Sequence, residues 1–145
     1  MNIRSIFSTP VHSTFGDIAL LLLRVVVGVA FVIYGKGKIQ SPFNWMGPDA
    51  PVPGFLQGLA ALSEFGGGLA LIVGLLVPLA SFGIACTMAV ATAVVMQGGS
   101  PFISPTGGAS YSLPIFLFCI AIVFIALGPG RFSLDRRIFG ARASI

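Results

Sequence analysis

Charge is what this chain lacks. Of 145 residues, eight are Lys or Arg and four are Asp or Glu, 8% in all, where soluble domains carry roughly 25%. A surface that thin in charge excludes an ordinary water-soluble domain. Histidine occurs once, at His12, in a polar segment best left to solvent. No cluster with metal-ligand spacing exists, so no metal site is expected, and no serine or cysteine triad has a histidine in reach. The two cysteines, Cys86 and Cys119, each sit inside an apolar run without a CxxC, which excludes a disulfide framework or a dithiol redox motif. The basic residues form no stripe interleaved with aromatics, so nucleic acid is not an expected partner. A phosphate-binding loop and a dinucleotide fingerprint are missing too.

What the chain has is apolar length. Hydrophobic residues make up 56% and the mean hydropathy is +1.01. Apolar runs cover approximately 18–34, 54–76, 79–96 and 111–127, each near the roughly 17–25 residues that a spanning helix needs. Lipid leaves no partner for bare backbone groups, so helices are expected rather than strands. Glycine and proline punctuate the gaps: Gly35, Gly37 and Pro42, then Pro48, Pro51 and Pro53, then Pro78, and finally Gly128-Pro129-Gly130. The expectation is one all-α domain over 1–145, an integral membrane four-helix bundle with a basic tail at 128–145 lying at the interface. The first run contains Arg24 and reads as a retained helix rather than a cleaved leader. Four spans put both termini on one side. Arg4, Arg131, Arg136, Arg137 and Arg142 lie there, against Lys36 and Lys38 opposite, so the positive-inside rule places the termini in the cytoplasm. Trp45, Phe43 and Phe102 suit the opposite headgroup belt.

Two charges fall inside the apolar runs. At 100° per residue, Asp17, Arg24, Gly28, Phe31, Gly35 and Lys38 share one face of the first helix, and Gln57, Ala60, Ala61, Glu64, Gly67, Gly68 and Leu71 one face of the second. Small residues on both faces let the backbones approach. Arg24 lies two residues before the midpoint of its run and Glu64 one before the midpoint of its own. For antiparallel helices this is an offset of about three residues, roughly 4.5 Å. A lone charge at that depth is costly, so a buried Arg24–Glu64 ion pair is expected. Two readings of it are open. It fixes helix register, or it lines a polar cavity and serves as a catalytic pair or proton relay. Tyr34, Lys38, Gln57 and Tyr111 sit near the outer ends of the helices, where they are candidates for contacting a substrate. Lys38 and the tyrosines also fit the simpler role of interface anchors.

The segments LLLRVVVGVAFVIYGKGKI, ALSEFGGGLALIVGLLVPLA and LPIFLFCIAIVFIALGPGRFSLD together resemble the DoxX family of small four-helix membrane proteins, over about 20–135. The resemblance implies quinone-linked redox chemistry: relatives include the membrane subunit of a thiosulfate:quinone oxidoreductase and proteins linked to quinone resistance. The family often has a histidine where this chain has Tyr34, and an acidic residue where it has Ser110. Two functions follow as expectations. In one, the chain is the membrane subunit of a quinone-linked oxidoreductase in a bacterial or archaeal cytoplasmic membrane, with a membrane quinone as cofactor and electrons supplied by a partner or directly by a small reductant, because no flavin, haem or iron–sulfur motif is present. In the other it is a non-catalytic accessory or assembly subunit of a larger complex. A transporter is the weaker third reading, with no inverted repeat and no broken helix.

Overall fold

The computed structural model describes residues 8–141, and among these it is all-helical, with a single isolated bridge between Thr9 and Ala141 and no strand. Helices run Thr14–Lys38 (α1), Gly54–Val73 (α2), Val77–Gln97 (α3), Ser112–Leu127 (α4) and the short Leu134–Phe139 (α5). The first three are long and apolar enough to cross a membrane; α4 is equally apolar but has 16 residues. Arg4 and Arg142 lie outside the described residues.

Helix ends depart from the edges of the apolar runs for local reasons. α1 starts four residues before Ile18 because the Ser13 hydroxyl accepts the Gly16 N–H at 3.1 Å as an N-cap. It runs four residues past Tyr34, through two glycines, and its last turn closes with Ile39 N–H on the Gly35 carbonyl. α2 stops at Val73 rather than Leu76 because Gly74 takes a left-handed conformation, φ 73°, and its N–H turns back to Ala70. Pro78 lies in the first turn of α3, where its missing N–H costs nothing.

Packing is sequential, α1 on α2, α2 on α3 and α3 on α4. All four contribute to one apolar core, with Val27 and Phe31 from α1, Leu71 from α2, Ile84 and Met88 from α3, and Ala121 and Phe124 from α4. The buried face of α1 holds Asp17, Arg24, Gly28, Phe31 and Gly35; that of α2 holds Gln57, Ala61, Glu64, Gly67, Gly68 and Leu71. These are the faces that the 100° periodicity picks out. At the α1–α2 crossing Gly28 meets Gly68: a Cβ on either would stand 2.8 Å from the other's carbonyl oxygen. Only glycine permits that approach. It fixes the register, with Gly35 lying against the Phe65 backbone.

The segment after α4 is more than an interfacial tail. Gly128, Pro129, Gly130, Ser133 and Asp135 are buried, and the segment packs under the N-terminal half of α1 and the α2–α3 turn. Arg131, Phe132, Leu134, Arg137 and Ile138 remain on its exposed side.

Candidate functional site

The expected Arg24–Glu64 ion pair does not form. The Gly28–Gly68 contact and the Gly35–Phe65 contact set Glu64 beside the last turn of α1. Arg24 lies eleven residues before Gly35, which is about 16 Å along the axis at 1.5 Å per residue. The midpoints of the two apolar runs do not predict the pairing because the runs are not aligned end to end in the packed pair; small-residue contacts, not run centres, set the register. The two charges therefore serve opposite ends of the molecule.

Arg24 is 1% exposed and turns toward the segment after α4. Its guanidinium donates to the carbonyl of Pro129 and, at 2.6 Å, to that of Phe132. Asp135 completes this junction by covering the start of α3, whose N-cap residue is Leu76, accepting the Leu76 N–H at 2.6 Å and the Val77 N–H at 2.9 Å. Leu76 holds a left-handed φ of 50°, uncommon for a branched side chain, and the Asp135 bond to its N–H helps hold it there. Burial pushes the Asp135 carboxyl up from its ordinary 3.8, while the two backbone N–H bonds and Arg24 pull it back. Asp17 ties in the start of α1, accepting the Arg131 N–H at 2.8 Å. Through these contacts Arg24 satisfies two loop carbonyls and offsets part of the cost of burying the Asp135 carboxylate.

Glu64, 2% exposed, is held by Lys38 instead, whose Nζ donates to both carboxylate oxygens at 2.6 and 2.7 Å. Lys38 does not snorkel to headgroups; its stem bends back from the last turn of α1, and its ammonium stands 4.4 Å from the centre of the Trp45 ring. Trp45 belongs to the 39–53 loop and is fixed by its Nε1–H donating to the Gln57 carbonyl at 3.1 Å. The Gln57 side chain clamps the same loop twice, accepting from Met46 N–H and donating to the Val52 carbonyl. Gln57 is thus the residue that seats Trp45 over the ion pair.

This group closes one end of a cavity of about 500 Å³ between α2 and α3. The two helices touch where Gly67 meets Ile84 and Gly83 meets Ser63; past that contact the cavity separates them. Its wall is apolar, including Leu56, Leu59, Phe82 and Val90, which are also 46–61% exposed on the flank of the molecule. A long apolar chain can enter from that flank, and a polar head can reach Lys38, Glu64 and Gln57. Apolar wall plus a few convergent polar groups is the usual composition of a ligand site.

Of the residues expected to contact a substrate, Lys38 and Gln57 line the cavity. Tyr34 is half exposed elsewhere on α1, and Tyr111 packs against Phe102, ring centres 5.3 Å apart and planes tilted by 56°, at the start of α4. Neither is brought to the site. Trp45 reads from sequence only as a headgroup anchor, and nothing local pairs it with Lys38. The position of Lys38 on the same helical face as Gly35 is the available signal.

The DoxX family model matches residues 19–97, a span that contains the whole cavity wall. Inner membrane protein YqjF of Escherichia coli is 29% identical over 126 residues, covering 83% of this chain and 92% of that protein. An uncharacterized protein of Haemophilus influenzae is 30% identical over 124 residues, covering 83% of this chain and 90% of its own length. No solved structure matches the chain.

Proposed function

The chain belongs to the DoxX family of membrane proteins, and on that premise we propose that it is the quinone-binding membrane subunit of a redox complex in a bacterial or archaeal cytoplasmic membrane. One observation carries the reading: a laterally open apolar cavity of about 500 Å³ ends at a buried Lys38–Glu64 pair. A membrane quinone is a long apolar chain with a ring that carries two carbonyls, and it approaches from lipid. The flank opening suits the chain, the Trp45 ring suits stacking, and the ion pair suits the oxygens.

When bound, a quinone supplies a site for two electrons and two protons. This chain's part is to hold the head and keep bulk water out. Lys38 has an N–H beyond the two given to Glu64, free for a carbonyl; Glu64 has further lone pairs for a hydroxyl. Gln57 holds Trp45 and the 39–53 loop in place as the roof. Electrons come from another subunit or a small reductant, and other membrane proteins are accordingly the expected partners.

In the same reading four spans cross the membrane and both termini are cytoplasmic. Support comes from the ends of the chain: Thr9 N–H donates to the Gly140 carbonyl at 3.2 Å, and Arg136 reaches the Thr9 carbonyl. The described parts of the two terminal segments thus touch each other, which supports placing them on the same side. Lys38, whose charge opposes that orientation, is neutralised by Glu64. At 16 residues α4 is about 24 Å long, a mismatch that local thinning of the bilayer absorbs at modest cost.

Trp45 is the only tryptophan, and quinones quench indole fluorescence. In nanodiscs, a short-chain ubiquinone or menaquinone analogue is expected to quench Trp45 saturably, and Ala60→Phe, which fills the cavity, is expected to leave only the linear collisional component. Quenching that never saturates in the wild type sinks the quinone site. Gentle-detergent purification then separates the two roles. A redox partner lacking its own quinone site favours the working subunit, and a partner complete in cofactors favours the accessory one.

A further inference from the structure

The charges facing the cavity cancel. Among the described residues that line it, Lys38 is the one cation and Glu64 the one anion, and they are in direct contact at 2.6 Å. Glu64 is 2% exposed, so its charge is poorly screened by water. An anionic head that reaches for the Lys38 ammonium also meets the Glu64 carboxylate a few ångströms away in a weakly polar medium, where like charges repel strongly. Prising the pair apart to accommodate it strands a buried carboxylate. A cationic head meets the mirror-image difficulty at Lys38. A neutral head meets neither, since a carbonyl oxygen accepts the remaining Lys38 N–H and a hydroxyl donates to Glu64.

We infer that the α2–α3 cavity selects its ligand by the neutrality of the head: it takes a neutral quinone, or equally the quinol, and rejects anionic amphiphiles with the same apolar tail. The distinction matters in a membrane, where acidic lipids and fatty acids share the flank opening and outnumber any quinone. The ion pair is then a filter as well as a contact. It reads oxidised and reduced ligand with different partners, the carbonyl on Lys38 and the hydroxyl on Glu64, without any change in net charge. The quinone ring rests on the function proposed above; the selection by charge rests on the pair alone.

The test uses the full chain in zwitterionic nanodiscs with Trp45 as reporter and three probes: a decyl-chain quinone, a brominated monoacylglycerol with a neutral hydroxyl head, and a brominated long-chain sulfonate that stays anionic at every pH. The quinone and the glyceride are expected to quench saturably, and the sulfonate only in proportion to its bulk concentration in the bilayer. In Glu64→Gln the cavity carries an uncompensated cation, and the sulfonate is expected to gain saturable quenching, tighter than in the wild type by roughly tenfold or more. Saturable sulfonate binding to the wild type at the strength of the glyceride overturns the filter. So does a folded Glu64→Gln, with wild-type Trp45 emission, that gains nothing. The wild-type comparison stands even where the variant does not fold. Binding of the glyceride without the quinone leaves the filter intact and removes the quinone reading; no saturable binding by any probe removes both.

Discussion

At the residue scale, the buried carboxylate in the second apolar run is explained by its partner. Glu64 is held by Lys38 rather than by Arg24, and a double-mutant cycle is expected to show the two coupled. Lys38→Met leaves Glu64 buried with no counter-charge and is expected to destabilise the protein by about 2–4 kcal/mol, below the fully buried case because the lysine is itself one-quarter exposed. Lys38→Met combined with Glu64→Leu removes both charges and is expected to recover most of that loss. Unfolding by denaturing detergent in mixed micelles reads both. If the double variant is as unstable as the sum of the single ones, the pair carries no coupling and the assignment is wrong. The choice of partner is only half legible in the sequence. Both helical faces follow from periodicity, including Lys38 on the face of Gly35, but the apolar run ends at Tyr34. A lysine four residues beyond reads as a headgroup anchor until its helix is known to continue.

At the element scale, α3 begins at a cap supplied from 58 residues away, the Asp135 carboxylate on Val77 N–H. No sequence window around Val77 contains it, so the start of α3 reads from Pro78 alone. Asp135→Ala strips the acceptor from two backbone N–H groups and is expected to cost about 2–4 kcal/mol, with Asp135→Asn, which keeps one oxygen, costing less. Burial raises the Asp135 carboxyl above 3.8, so the folded state holds its proton more tightly than the unfolded chain. The stability this group adds is therefore full below 3.8, declines as pH rises through the window up to the raised value, and is constant above it. The melting temperature of wild type minus that of Asp135→Asn is expected to be largest in acid and to shrink across that window. A difference that grows with rising pH there reverses the sign and refutes the shift.

At the scale of the whole molecule, the terminal segments and the segment after α4 form one junction, and the 39–53 loop and the cavity lie toward the other end of α1. A cysteine scan tests whether a membrane separates them. With Cys86 and Cys119 replaced by Ala, Ser104→Cys in the exposed loop before α4 is expected to react with an impermeant maleimide added outside intact cells. Arg137→Cys is expected to react only after the cells are opened. Labelling of both from the same side contradicts the four-span arrangement; exchange of the two sides contradicts only the orientation.

Composition and periodicity by themselves determined that this chain lives in lipid, that it is helical, and which face of α1 and α2 is buried, because apolar length and a 3.6-residue repeat act locally and are written in order along the chain. Which charge meets which was decided only by the tertiary structure. Register between helices depends on where two backbones can touch, here Gly28 on Gly68, and a slip of one turn would exchange every partner while leaving both faces unchanged. The cavity is likewise a property of the packed pair: it opens where α2 and α3 part beyond Gly83, and neither helix alone contains it.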